Sequence, residues 1–333
     1  MKYNKFANSD KDVSQLCYGA MGLNFAFGSF DERDLLNSMH SCFEQGINMI
    51  DTARLYGGSE RIVGKFLKEY RGNRPFVATK AAAAETADNI GWAIPNPIEL
   101  AYPKGRVTAQ VEQSLHELGV DTIDLLQLHQ YWSVYENGDW LDELTALKMQ
   151  GKVQHIGVSV IDHRPDQALG IVKSGLIDSV QTIINIFDPL AFDTLVPLAQ
   201  ANDVAIIARC VLDEGGLTGV IQSDTIFENG DFRKGYFDHG PRPEYIKRVD
   251  ELKRYIPEYA DSIAELALRY VLSHPGVTTA TVSMHIPEFA SANIAAANKG
   301  PLPDPLFQHI RRYHRWLHSL YQPKYFPDAD RTF

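Results

Sequence analysis

Cysteine is scarce in this chain: three residues of 333, Cys17, Cys42 and Cys210, stand far apart with no C-x-x-C pair. That spacing argues against a disulfide framework or a zinc site and fits thiols kept reduced in a cytoplasm. Long apolar runs are missing too, and none approaches the roughly 18 residues that would span a bilayer. The opening "MKYNKFANSDKDV" lacks the apolar stretch of a signal peptide. Positive charge is in deficit, 32 Lys and Arg against 42 Asp and Glu, a net −10. A general attraction to nucleic acid or to anionic membrane is therefore not expected. No Pro/Gly-rich or polar tract is long enough to be a linker, so residues 1–333 read as one large domain. Metal-ligand spacings of the H-x-H or H-E-x-x-H kind are absent, and no metal is expected.

What is present is a repeating order. Short, β-branched-rich apolar runs occur at 13–20, 47–52, 76–80, 123–129, 153–160, 178–185, 204–211 and 277–284. Most are apolar on both faces, as strands of a helix-covered parallel sheet are. Segments of helical period lie between them. Leu35, Leu36, Met39 and Phe43 share one face behind the candidate N-cap Asp31, and Gly46 ends that run. Val107, Val111, Leu115 and Leu118 form a second stripe, closed by Gly119. Eight strands alternating with helices predict an α/β fold, a (β/α)8 TIM barrel. An open doubly wound sheet is the weaker alternative, because no G-x-G-x-x-G follows the first strand. Two segments break the alternation. Residues 212–242 hold few periodic apolars and are followed by predicted helices at 243–256 and 261–274. Residues 299–333 form a tail containing "PLFQHIRRYHRWLHSLYQ", which predicts an aromatic, basic helix. Long loops and tails of this kind are expected as covers over a barrel mouth, 212–242 over a cofactor and 299–333 over the barrel.

Chemistry in such a barrel sits at the C-terminal ends of the strands. In "NMIDTARLYGGSE" (48–60) Asp51 ends the second strand and Tyr56 follows in its loop; Lys80 ends the third strand and His129 the fourth. A free phenol has a pKa of about 10. A nearby ammonium favours the phenolate, and a carboxylate keeps that ammonium charged and placed. An imidazole beside them holds a substrate oxygen against the hydroxyl. Together the four residues suit protonation of a carbonyl oxygen as hydride arrives, or the reverse. Phe25, Phe27, Trp92, Tyr131 and Trp132 lie in segments after strands one, three and four. Aromatics there suit a plain aldehyde or the apolar face of a sugar ring.

"GINMIDTARLYGGSE", the "TK" at 79–80, "DLLQLH", "HIGVSV" and "EGGLTG" at 214–219 together resemble the aldo-keto reductase superfamily, over roughly 13–298. The resemblance implies a (β/α)8 barrel and NAD(P)H-dependent, reversible reduction of aldehydes, ketones or sugar hemiacetals. Carried onto this chain it makes Tyr56 the proton donor, Lys80 and Asp51 its tuners and His129 the substrate-orienting residue. It also implies cofactor contacts at Ala20 and Met21, at Asp51, and at Ser159 and Gln181. After strand seven it adds Arg209, Leu212, Glu214 and Gly216, with Arg233 from the long loop. Ser283, His285, Phe289 and Asn293 complete the set near strand eight. Two departures stand out: the family's Ser-Asn pair reads Ser159-Val160, and Arg209 occupies the place of a nicotinamide-stacking aromatic. No Lys or Arg lies between Arg269 and Lys299, where the family often binds the 2′-phosphate. The expectation is a weak preference for NADP(H) with NAD(H) also used, the preference fading above neutral pH as His285 loses its charge. The rival reading is a nicotinamide-binding regulatory or channel-associated subunit on the same fold with little turnover.

Overall fold

The computed structural model describes residues 1–24, 27, 30–84, 94–228, 231, 233–238 and 241–316. Eight parallel strands close into a barrel: β3 (Leu16–Gly19), β4 (Met49–Asp51), β5 (Phe76–Ala81), β6 (Ile123–Tyr131), β7 (Val153–Val160), β8 (Ser179–Ile183), β9 (Ala205–Arg209) and β10 (Thr279–Ser283). Closure runs from β10 back to β3, pairing Ala280 with Leu16 and Ser283 with Gly19. Each of the eight apolar runs matches one barrel strand, β5 and β6 extending past theirs to Ala81 and Tyr131.

The first run divides in two. Val13 and Ser14 belong to β2 (Asp12–Ser14), which pairs with β1 (Tyr3–Lys5) in an antiparallel hairpin. Beyond β1, fully buried Phe6 joins Met49, Phe76, Leu125 and Ile207 in an apolar cluster. The Phe6 and Phe76 ring centroids are 4.7 Å apart.

Side chains alternate along a strand, so one step of two residues lifts the same face toward the C-terminal end. Met49 gives way to Asp51, Ala78 to Lys80, and Leu125 to Gln127 and then His129. That single face passes from an apolar floor, holding Met49, Ala78 and Leu125, to a buried polar layer of Asp51, Lys80, Gln127 and Gln181. The strands thus carry a chemical site because their inward face changes character halfway up.

The helices follow the periodic stripes. Helix Glu32–Glu44 starts where Arg33 donates its backbone N–H to the Asp31 side chain at 2.8 Å, and it buries Leu35, Leu36, Met39 and Phe43. Helix Arg106–Leu118 ends at Gly119, which is left-handed at φ 65°. Before β10 lie helices Arg242–Leu252 and Ile263–Leu272, each shorter than expected. In the tail the helix spans Asp304–Tyr313, and residues 317–333 lie outside the described part.

Helix Ser59–Glu69, which follows the Tyr56 loop, crosses helix Arg106–Leu118 at Gly64. A Cβ there would sit 2.3 Å from the Glu117 carbonyl oxygen, which is backbone and cannot swing aside. Gly64→Ala is expected to cost about 1–3 kcal/mol of stability, as overpacking does. Urea unfolding should show a lower midpoint at unchanged slope; an unchanged midpoint would mean the helices are not packed this closely.

Candidate active site

Asp51 closes β4 and is almost fully buried. One carboxylate oxygen accepts from Lys80 Nζ at 2.6 Å, while the other accepts from Gln181 Nε2 at 3.0 Å and Gln127 Nε2 at 3.3 Å. Lys80 has no exposed surface and also donates to the Thr52 carbonyl at 2.9 Å. Burial pulls the ammonium's pKa down, but Asp51 and then Tyr56 more than offset this, leaving it above the ordinary lysine value. The lysine is therefore a fixed positive charge.

Its Nζ lies 5.0 Å from the centroid of the Tyr56 ring. Burial raises the Tyr56 phenol above its ordinary value, and Lys80 opposes that rise. The lysine's pull has the expected sign, but burial is larger. His129, two residues beyond Gln127 on β6, meets Tyr56 edge to face, with centroids 5.6 Å apart and planes at 84°. Burial, then the charges of Lys80 and Arg209, hold its pKa well below the ordinary histidine value. A neutral imidazole can hold a carbonyl oxygen without competing as an acid. The structure thus brings Asp51, Tyr56, Lys80 and His129 to one rim.

Gln127 and Asp162 are polar members of this rim that sequence reading missed. The signal for Gln127 was the alternation in "LQLH", which sets it on the same face as His129. Asp162 follows β7 and binds Arg209: Nη2 donates to its carboxylate at 2.8 Å and to the Val160 carbonyl at 2.9 Å. Arg209 Nε is buried without a hydrogen-bond partner among the described residues.

Beyond Arg209 the chain turns sharply, with Cys210, Asp213, Glu214 and Gly215 all at positive φ, 51°, 48°, 55° and 92°. Left-handed backbone costs roughly 1–2 kcal/mol for a residue bearing a Cβ. Buried Asp213 holds the turn, accepting from the Tyr236 and Tyr245 hydroxyls at 2.6 and 2.8 Å. Gly216 packs against that same Tyr245 hydroxyl, 1.9 Å from where a Cβ would lie. Glu214 accepts from Cys210 Sγ at 3.0 Å, and Leu212 is partly buried beside it.

Arg233 opens the short helix Arg233–Phe237 and is bound by the Asp231 carboxylate. Its guanidinium lies 5.5 Å from the Phe27 ring, and Phe27 stacks on His285 with centroids 5.7 Å apart. Loops after β9 and β3 therefore meet over the end of β10. His285 is buried, and both ring nitrogens lack a partner among the described residues. Burial and then Arg233 lower its pKa to about 4. The expected charge on His285 near neutral pH is thus corrected: burial, which the sequence did not reveal, keeps the ring neutral. Around it, Ser283 and Met21 are partly exposed, Asn293 and Ala20 are buried, and Phe289 is exposed. Ser159 and Gln181 adjoin each other on β7 and β8, with Ser159 Oγ 3.5 Å from Gln181 Oε1.

Among the substrate candidates, Phe25 and Trp92 lie outside the described residues. Trp132 is buried. Tyr131 is fully buried and packs edge-on to Trp140 of helix Asp139–Met149, centroids 6.1 Å apart. A register shift between Leu128 and Tyr131 breaks the two-residue alternation, and this turns Tyr131 into the helix layer. Among the described residues no group of three or more His, Cys, Asp or Glu could hold a metal ion. Nor is any described helix long and apolar enough to cross a membrane.

The sequence profile of the Aldo/keto reductase family matches residues 15–314. An aldo-keto reductase of Bacillus subtilis is 28% identical, the match covering 84% of either chain. The NADH-specific methylglyoxal reductase of Escherichia coli is 27% identical over 90% of this chain and 94% of its own length. In structure, the holo form of an aldo-keto reductase from Bacillus halodurans superposes with a TM-score of 0.73 at 27% identity, covering 95% of this chain and 99% of the other. A more distant relative, 23% identical over 92% of this chain and 94% of its own, is a probable voltage-gated potassium channel subunit beta of Arabidopsis thaliana.

Proposed function

Since the chain belongs to the aldo/keto reductase family and is an NAD(P)H-dependent oxidoreductase, we propose that it reduces an aldehyde, ketone or sugar carbonyl with Tyr56 as proton donor. The observation that carries this reading is the fully buried Lys80, 2.6 Å from Asp51 and beneath the Tyr56 ring. A buried ammonium held charged at that point stabilises the phenolate left when the proton departs. Neutral His129 orients the carbonyl oxygen toward the phenol, and Gln127 and Gln181 hold the Asp51 carboxylate in line with the lysine. Reversal removes the proton from an alcohol by the same groups. When bound, the nicotinamide cofactor supplies the hydride.

The residues fit such a cofactor. Arg209 Nε and both His285 nitrogens are buried polar atoms that a dinucleotide's polar groups would satisfy. Ser159 and Gln181 are the proposed holders of the nicotinamide end, together with Arg209. Leu212, Glu214, Gly216 and Arg233 would follow the pyrophosphate. Ser283, His285, Phe289 and Asn293 would take the adenosine end, with Ala20 and Met21 flanking just after β3. The long loop 212–242 is proposed as its cover, and a cytoplasmic location, with three free thiols, belongs to the same reading.

Cofactor choice is expected to be permissive, with a mild NADPH preference. One charge-assisted contact contributes about 1.5–3 kcal/mol, and about 1.4 kcal/mol is tenfold in affinity. Arg233 is already engaged by Asp231, and His285 is neutral. The ratio of the two dissociation constants should stay near tenfold. It should also match at pH 6 and pH 8, because His285, at about 4, is uncharged at both. Tryptophan-fluorescence titration with NADPH and NADH checks this. A ratio of about a hundredfold, or an NADPH preference that grows at pH 6, would count against it.

A further inference from the structure

We propose that Glu60, which touches neither substrate nor cofactor in this reading, is the positioning residue that sets Tyr56 over Lys80; the inference rests on the assignment of Tyr56 above. Tyr56 sits on a short bridge between β4 and helix Ser59–Glu69. The entry of that bridge continues the sheet, with Thr52 N donating to the Ala78 carbonyl at 2.9 Å and Arg54 N to the Lys80 carbonyl at 3.1 Å. Its exit is pinned by Ser59, whose hydroxyl meets Thr52 Oγ1 at 2.9 Å and the Ala20 carbonyl at 2.8 Å. Between these anchors Gly57 turns the chain at φ 51° and Leu55 is exposed. Tyr56 stands at the apex, its N–H donating to the Ala53 carbonyl at 3.0 Å and its carbonyl accepting from Ser59 N at 3.0 Å, bonds that lie within the turn and do not fix it against β5.

Glu60 closes that loop from behind. Its carboxylate is 1% exposed, inside the protein, and bonded on both oxygens. One accepts the Thr79 hydroxyl at 2.6 Å. The other pairs with Arg54. Thr79 is the residue before Lys80, and Arg54 is two residues before Tyr56. The carboxylate thus adds a buried side-chain link between the strand that carries the ammonium and the loop that carries the phenol, beside the backbone bond from Arg54 N to the Lys80 carbonyl. A buried carboxylate is costly unless both oxygens are satisfied, so its presence needs a reason. Glu117, 3.4 Å from Arg54 and more exposed, supports the arginine but does not reach across to β5.

Glu60→Gln keeps the shape and removes the charge that holds Arg54. Slackening the loop by a fraction of an ångström should lower kcat by a factor on the order of 10–100. The cofactor's dissociation constant should stay within about twofold, because no proposed cofactor contact is removed. As Lys80 opposes the raised phenol pKa, a looser Tyr56 loses part of that pull, and the alkaline limb of the kcat profile should move to higher pH. Arg54→Met should act alike, and the double variant should be little worse than either single one, since both break one link. Thr79→Val, which removes one hydroxyl, should shift kcat and the limb the same way by less, and it serves if Glu60→Gln does not fold. Normal kcat and an unmoved limb in Glu60→Gln, or in Thr79→Val where the former is insoluble, overturn the inference even if thermal stability falls. Tyr56→Phe run in parallel separates the two levels: an active Tyr56→Phe overturns the site assignment and this inference with it. An inactive Tyr56→Phe beside fully active Glu60 and Thr79 variants overturns this inference alone.

Discussion

Tyr56→Phe is expected to bind nicotinamide cofactor as the wild type does while turnover falls by a factor on the order of 10²–10⁴, the usual worth of a positioned general acid–base. The substitution deletes one oxygen and leaves the ring, so the edge contact to His129 and the loop around Gly57 persist. What disappears is the proton that must reach the carbonyl oxygen. Neither neighbour can replace it: His129 is neutral, held well below its ordinary pKa, and Lys80 is committed to Asp51 and the Thr52 carbonyl. Steady-state kinetics with a cofactor titration on the same preparation checks the outcome. Retention of more than about a tenth of wild-type kcat would remove Tyr56 from the role, because general acid catalysis is worth more than that.

Lys80→Met has two expected effects that arise from one burial. The ammonium is wholly enclosed, and among the described residues Asp51 keeps the two glutamine amides once it is gone. Breaking a buried pair by removing one partner costs about 3–5 kcal/mol, so the unfolding midpoint should drop clearly. Catalysis should fall by at least the Tyr56→Phe range, about 10²-fold or more. Residual activity should also titrate at higher pH. Burial already raises the phenol and Lys80 opposes it, so losing the lysine raises the pKa further and moves the alkaline limb upward. A normal rate with an unmoved profile would make Lys80 a structural charge only.

The four rim residues were legible because their signal is local. Asp51, Lys80 and His129 each end an apolar run, and a barrel delivers strand ends to one face. Tyr56 was legible from its neighbours in the motif. The polar partners were harder: Gln127 shows only as alternation within an apolar run, and the Glu60–Thr79 link joins residues 19 positions apart. The surroundings of Tyr131 were not legible for a definite reason. Counting by twos from His129 sets it inward, but the shifted register after Leu128 sends it to Trp140. His285 was misread in charge because solution behaviour was assumed for a ring that Phe27 and Phe30 cover. The division of the first run into β2 and β3 falls at the polar pair Ser14-Gln15, which a reading of 13–20 as one strand passed over.

Turnover itself tests the central claim most directly, since the binding-only subunit reading shares the fold and the cofactor. Purified protein is mixed with NADPH or NADH and a panel of aldehydes, ketones and sugars, and loss of the reduced cofactor's absorbance is followed for wild type and Tyr56→Phe. A carbonyl substrate that drives cofactor oxidation in the wild type, with the rate lost in Tyr56→Phe, is the predicted result. Tight cofactor binding with no oxidation by any carbonyl, or equal oxidation by both proteins, would contradict it.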